Sequence, residues 1–476
     1  MKRPWLLLMI ILCASLAQSQ GDPSQAVDEY IRAEMRREHM PGLALGVYRA
    51  GRIVKAQGYG FANLELEVPV KPETIFQSGS VGKQFTATAV MMMVEQNKIR
   101  LEDSILKYLP DGPPQWAPVQ IRNLLSHTSG IAEYTSEERS RRGGPFDLRQ
   151  DNTEDELYAK IKQLPMDFKP GEKWVYTNTN YVLLGIILHR VTGQFYGDFL
   201  HDHIFQPLGM NSTRVISEAD IIPNRASGYE LRKGEIKNQE WVSPTYNTTA
   251  DGALYFNVLD LAKWDEALSG DRLVKRSSLD AMWNIFPLND GKPNPANYGF
   301  AWEINQTGGH RLIEHGGSWQ GFATHIARYA DDHLTVVVLT NLDSGHSRPA
   351  RIAHRVAALY QPELTPAKLP ALEDASPHAT SALREVLLAM ANGSVARNAF
   401  TAEAQDELFG GKIKEMGEEI KALGDLRALE LIGKPGEEQN SFTYRAVLAK
   451  GNELLSVKMS PEGKIAALEV WPDWSK

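Results

Sequence analysis

The sequence has almost no cysteine. Cys13 is the only one in 476 residues, so disulfides cannot brace the fold and thiol catalysis has no candidate in a processed chain. Stability must come from a core, and 42% hydrophobic with 23% charged residues supply one. A basic excess is missing too: 51 Lys+Arg stand against 59 Asp+Glu, a formal charge of −8. That excludes a nucleic-acid partner, which needs a basic face, and gives no attraction to an anionic membrane. There is no Gly-x-Ser-x-Gly elbow, no His-Glu-x-x-His, no Gly-x-Gly-x-x-Gly and no phosphate loop. The α/β-hydrolase fold, that zinc-protease chemistry and nucleotide cofactors are therefore unsupported. No cofactor and no metal ligand set is expected. His201-Asp202-His203 lies in a helix-to-loop passage, where alternate residues diverge around a helix.

Long apolar runs are scarce as well. Trp5 to Ala14, after Lys2 and Arg3 and before small residues, is too short to span a bilayer. It has the layout of a signal peptide over residues 1–19, with a cut expected after Ala17 or Ser19. Bulky Leu12 makes Cys13 a poor lipid-anchor site. The expected mature chain is secreted or periplasmic in a bacterium, with no membrane span. Losing Lys2 and Arg3 takes its charge from −8 to −10.

What is present divides the chain. Val27, Tyr30, Ile31 and Met35 are spaced as one face of a helix. Two β-rich runs flank Ala50-Gly51, a hairpin signal. Strand patterns return near residue 300 in YGFAWEIN, HRLIEHGGSWQGFATHIARY and HLTVVVLTN, followed by the helical RPARIAHRVAALY. Helical and loop sequence lies between. The fold expected over residues 20–360 is α/β (α+β): early and late strands close one antiparallel sheet flanked by helices, beside a helical subdomain, with the ligand site in the cleft between. Residues 361–377 carry four prolines and read as a linker. Residues 378–476 read as a small α+β module, with helices over 379–393 and 401–422 and then three or four antiparallel strands. It resembles the cone-shaped cystatin-like fold.

Ser-x-x-Lys occurs twice, at Ser80-Val-Gly-Lys83 and Ser104-Ile-Leu-Lys107. The second sits in a charged segment that ends in a proline loop, so Lys107 is expected to face water. The first follows a short β-like run and opens FTATAVMMMVEQ, apolar or small nearly all round and hence central to the fold. In a first helical turn, residues three apart share a face. A serine hydroxyl needs a base beside it. Burial and the positive end of a helix lower a lysine toward that role. A Ser80 cap with an exposed Lys83 explains the same letters. Ser78 is out of register with Lys83 and reads as a turn or cap residue.

Two further segments narrow the choice. Tyr176 and Asn178 precede the buried helix pattern of KPGEKWVYTNTNYVLLGIILHRVTG, and His315-Gly316-Gly317 lie in a predicted strand. The order Ser-x-x-Lys, Tyr-x-Asn, His-x-Gly resembles the serine β-lactamase and penicillin-binding-protein superfamily, in its class C-like branch of cephalosporinases, D-stereospecific peptidases and esterases. LLSHTSGI, QPLGMNST and VLDLAKWDEAL add to the likeness, which covers about residues 25–360. The resemblance implies Ser80 as the acylated nucleophile and Lys83 as the lysine that shares its proton. It implies Tyr176 as a phenol that acts as base and activates the deacylating water; which of Lys83 and Tyr176 is the formal base stays open. Asn178 would position Lys83 and bind substrate, together with His315, Gly316 and Gly317. The backbone N–H groups of Ser80 and Ser318 would form the oxyanion hole.

His315 departs from the lactamase pattern, which has lysine there, and Gly316 stands where threonine is usual. Histidine suits the esterase and peptidase members. The reading is an exported serine hydrolase acting on small-molecule or peptide substrates, by preference esters or D-amino-acid and peptide amides. A class C-like β-lactamase or DD-carboxypeptidase is the alternative within the class. A penicillin- or peptidoglycan-binding protein without turnover is the alternative outside it. Tyr134, Trp174, Trp241, Tyr246, Trp302 and Trp319 are candidate cleft aromatics.

Overall fold

Residues 24–37 form the expected amphipathic helix, with Val27, Tyr30, Ile31 and Met35 turned inward. They open a computed structural model that describes residues 23–307, 309–343, 345–365, 369–374, 376–409, 411–433 and 441–472. The expected signal peptide lies outside the described residues.

Strands β1 (Gly42–Arg49) and β2 (Arg52–Asn63) make the first hairpin. Ala50 and Gly51 both have positive φ, 49° and 75°, the two-residue turn that matches the natural twist of a strand pair. A short β3 (Val68–Pro69) pairs with β2. The late strands are β4 (Glu303–Thr307), β5 (His310–Trp319), β6 (Phe322–Tyr329) and β7 (Leu334–Thr340). Among the described residues these make one seven-stranded sheet, ordered β3-β2-β1-β7-β6-β5-β4. The β1–β7 pairing, Val47 opposite Val336, joins the two ends of the segment as the sequence pattern implied.

β6 and β7 are buried along their whole length, because both faces of the sheet are covered. On one face Val336 and Val338 meet Ile352, Ala353 and Val356 of the helix Pro349–Tyr360, with the N-terminal helix beside them. On the other, Ile326 and Val337 join the core of the helical part. The helix Lys83–Glu95 runs through that core, and Phe85 packs 4.3 Å from Trp264 and 5.5 Å from Phe205. Each such large side chain contributes roughly 1.5–3 kcal/mol on burial, so the polar first turn of this helix rests on a rigid base.

The C-terminal module has its own core, including Leu383, Leu387, Phe400, Tyr444 and Val457. Its helices are Pro377–Ala391, Ala402–Leu408 and Lys412–Leu423. The stretch read as one helix over 401–422 is two, and the chain turns at Gly411 with φ 141°. The strands Leu426–Gly433, Ser441–Leu448, Asn452–Met459 and Ile465–Pro472 follow as an antiparallel meander. The proline-rich stretch before the module is anchored at both ends. Leu364 is buried in the main core, and Leu372 N donates to Leu431 O at 2.7 Å. Glu469 of the module pairs with Arg348 at 3.0 Å. No helix among the described residues is long and apolar enough to cross a membrane.

Candidate active site

Phe76–Gln77 pairs with Leu254–Phe256 in a small second sheet, which sets the chain from Ser78 onward against residues 251–253. Ser78 is a stitch at this junction. Its N–H donates to Leu254 O at 2.8 Å, its hydroxyl donates to Gly252 O, and its carbonyl accepts from Thr324 Oγ1 at 2.7 Å. It caps nothing through its side chain. A short 3-10 turn, Gly79–Gly82, then leads into the helix that starts at Lys83. Ser80 sits in that turn, partly open to solvent.

Lys83 is buried and donates to Ser80 Oγ at 2.9 Å, to Asn178 Oδ1 at 2.8 Å and to Asp251 O. Burial lowers its pKa to about 8, and the Asp251 and Glu133 carboxylates pull the other way. The second Ser-x-x-Lys does what its charges suggested. Ser104 Oγ accepts from Leu106 N as a cap, and Lys107 reaches into solvent beside Asp103.

Tyr176 brings its ring within 4.9 Å of Lys83 Nζ. Its buried hydroxyl makes no well-aligned hydrogen bond, with Ser80 as the polar group beside it. Burial pushes this phenol well above its ordinary value, and Ser80 opposes the shift only in part. Asn178 begins the helix Asn178–Thr192, its N–H bonded to the Glu133 carboxylate. Its amide donates to Thr135 Oγ1 at 3.3 Å, so the oxygen is committed to Lys83.

His315 lies on β5 and is 3% exposed. Its Nδ1 is 2.6 Å from Gly316 O, a group that can only accept. The Nδ1 therefore carries the proton, and Nε2 accepts from Tyr298 OH at 2.8 Å. Burial first, then Lys83, lowers this imidazole to about 3. It is neutral at working pH, so it cannot supply the fixed charge that a lysine would place here.

The pleat of β5 separates the two glycines. Gly317 faces the serine: a Cβ there would stand 2.2 Å from Ser78 O and 3.0 Å from Ser80 N. One at Gly79, whose φ is 49°, would stand 2.3 Å from Ser318 N. The absent side chains let this turn and β5 touch, and Ser80 and Ser318 line one cleft. Gly316 faces the opposite side, against His325. If the Ser80 and Ser318 amides form the expected oxyanion hole, Gly317→Ala should cut kcat/KM about 100-fold, with far-UV circular dichroism unchanged. Equal rates in the two proteins would show that this close approach does not matter.

Of the candidate aromatics, Tyr246 and Trp319 line the cleft, and Trp319 Nε1 donates to Asn247 Oδ1 at 2.8 Å. Tyr134 is buried beneath it, its hydroxyl donating to Asp251 Oδ2 at 3.0 Å. Trp174 packs 5.8 Å from Tyr298. Trp302 is core, and Trp241 is 57% exposed.

Four contributors had no role legible in the sequence. Asp251 offers a carbonyl to Lys83, and its carboxyl is raised, first by burial, with Lys83 acting against that. Glu133 holds the Asn178 backbone, and Tyr298 fixes the His315 tautomer. His127 packs 4.2 Å from the Tyr176 ring and 5.0 Å from that of Tyr298. Burial, chiefly, holds His127 well below its usual value. Its stretch belongs to a matching segment, yet no role was legible there. His201 bonds its neighbour Asp202, and His203 stacks on Phe199 at 4.3 Å.

Residues 27–361 match the family model described as Beta-lactamase. A curated relative, penicillin-binding protein 4* of Bacillus subtilis, is 30% identical over 309 residues, 61% of this chain. The match covers 66% of that relative's own length, just short of two thirds. Two solved structures share the fold, each with a TM-score of 0.61. An octameric penicillin-binding protein homologue from Pyrococcus abyssi is 24% identical and covers 94% of this chain and 96% of its own. A D-amino acid amidase from Ochrobactrum anthropi, complexed with D-phenylalanine, is 23% identical and covers 71% and 98%.

Proposed function

The chain belongs to the Beta-lactamase family, the superfamily of serine β-lactamases and penicillin-binding proteins, and from that premise we propose that it is an exported serine hydrolase working through an acyl-enzyme on Ser80. The observation that carries this reading is a buried lysine 2.9 Å from the Ser80 hydroxyl, lowered to about 8. A neutral amine has two N–H groups and one lone pair. Asp251 O and Asn178 Oδ1 accept the two, which leaves the lone pair for the Ser80 proton.

Ser80 Oγ then attacks the substrate carbonyl as its proton passes to Lys83 Nζ. The Ser80 and Ser318 amides face the tetrahedral oxygen. The leaving group takes a proton and departs, and the acyl group remains on Ser80. A water attacks the ester, gives its proton to the same machinery, and frees the acid and Ser80. The catalytic unit is residues 20–360, with 378–476 as an added module.

Esters and D-amino-acid or peptide amides suit the cleft best. Two aromatic side chains, Tyr246 and Trp319, are among the residues that line it, and the neutral His315 provides no cation for a β-lactam or C-terminal carboxylate. A fold shared with a D-amino acid amidase agrees with this preference. The name of the Bacillus relative supports a second reading, acylation by penicillins with little turnover.

Intact-mass analysis after fluorophosphonate treatment is expected to find one adduct, mapped to Ser80 and absent in Ser80→Ala. Steady hydrolysis of p-nitrophenyl butyrate should accompany it, faster than nitrocefin hydrolysis. A burst that stops at one equivalent would favour the binding-protein reading. Labelling that persists in Ser80→Ala would sink the nucleophile assignment.

A further inference from the structure

Glu314 and His315 are neighbours on β5 and point to opposite faces of the sheet. Behind the cleft, on the face covered by the helix Pro349–Tyr360, Glu314 meets His325 of β6 and His354 of that helix. His325 Nε2 is 2.9 Å and His354 Nε2 is 2.6 Å from the same carboxylate oxygen, Oε2. The other oxygen, Oε1, accepts from Asn305 Nδ2 at 3.0 Å, which fixes the plane of the carboxylate. The two imidazoles meet edge to face, with centroids 5.5 Å apart.

This convergence differs from the chain's other histidine–carboxylate pairs. His189, His201, His310 and His346 each face a single Asp or Glu, always through Nδ1. Among the described residues, only here do two rings aim Nε2 at one point. Three rigid elements supply the three groups, so the set is held rather than assembled. Glu314 and His325 are buried, whereas the His354 side chain is 39% exposed and opens a route from solvent.

We propose that Glu314, His325 and His354 form a divalent-cation site, best matched to Zn²⁺, on the sheet face turned away from Ser80. Two imidazole nitrogens and one carboxylate are a borderline-soft donor set of the kind Zn²⁺ takes, with a fourth position left for water. Zinc bonds of about 2.1 Å at tetrahedral angles place donor atoms about 3.4 Å apart. The two nitrogen-to-oxygen separations, 2.9 and 2.6 Å, would widen to that value, and the three donor atoms already lie within 4.8 Å of one another. Asn305 is the outer partner that orients the carboxylate ligand. A bound ion ties the helix Pro349–Tyr360 to the strand that carries His315 and Gly317, one residue from the cleft. A network of hydrogen bonds alone is the plain alternative, and it predicts no metal affinity.

The test uses the full chain, stripped with a chelator, and Zn²⁺ added against a chromophoric competitor. One saturable equivalent is expected, with a rise in melting temperature as Zn²⁺ is added. His354→Ala should weaken binding at least about 100-fold, since it removes a direct ligand, and it sits at the surface where the fold tolerates it. His354→Gln serves as a second variant of closer shape, and His310→Ala should leave binding unchanged. Absence of a saturable equivalent, or one kept by both His354 variants, overturns the site. None of these readouts depends on hydrolase activity.

Discussion

Lys83→Met is expected to lower kcat/KM for an activated ester by about 10³- to 10⁴-fold and to abolish the limb of the pH profile that rises near pH 8. Positioned proton transfer contributes on this scale, and methionine keeps the buried volume while removing the amine. The sign follows from burial. The folded site holds Lys83 at about 8, so below that pH the amine is charged and cannot take the Ser80 proton. The rate is therefore expected to fall as pH drops through 8 in the native protein. Methionine also leaves two part-buried acceptors, Asn178 Oδ1 and Asp251 O, without the lysine's hydrogen bonds, so melting temperature is measured alongside rate. The rival assignment makes Tyr176 the base. Its phenol lies well above 10, so that mechanism places the limb at far higher pH and keeps it in Lys83→Met. Such a surviving limb would refute the role given to Lys83.

This geometry explains why part of the site was legible in the sequence and part was not. Ser80 and Lys83 could be read together because three residues along a helical turn fix their relation. The two strand groups could be joined because alternating apolar runs at both ends demand partners, and β1 found β7. Asp251 had no such signature. It serves Lys83 through a backbone carbonyl 168 positions away, and any residue type carries a carbonyl. Tyr298 and His127 act by packing on Tyr176 and His315, contacts that only the closed fold creates. Ser78 reads in the sequence as a turn or cap residue; its hydroxyl caps nothing and spends its bond on Gly252 across the junction. The Glu314, His325 and His354 cluster has no spacing that a motif could capture, because two strands and a distant helix each bring one member. Alternation on β5 also assigns Gly316 to that cluster's face and Gly317 to the serine's, a distinction that adjacent glycines hide in one dimension.

Tyr176→Phe is expected to separate substrates by their leaving group. Loss should be under about tenfold for a p-nitrophenyl ester and about 10²- to 10⁴-fold for a primary amide of the same acyl group. The reason lies in where the proton must go. In the proposed mechanism Ser80 gives its proton to Lys83, whose Nζ lies 4.9 Å from the centre of the Tyr176 ring and makes no hydrogen bond to its hydroxyl. An amide nitrogen cannot leave as an anion, so a proton has to be delivered to it within the cleft. The Tyr176 phenol is buried next to Ser80 and stays protonated, because burial pushes it well above its ordinary value. In this proposed mechanism it is therefore a donor, and it would recover its proton afterwards from the lysine that took the first one. A p-nitrophenolate leaves unprotonated and bypasses this step. Phenylalanine keeps the ring that packs on His127 at 4.2 Å, so the fold and the Lys83 limb near pH 8 should persist. Equal losses on the two substrates would mean that Tyr176 orders the site without donating a proton, and the relay would then have to run from Lys83 alone.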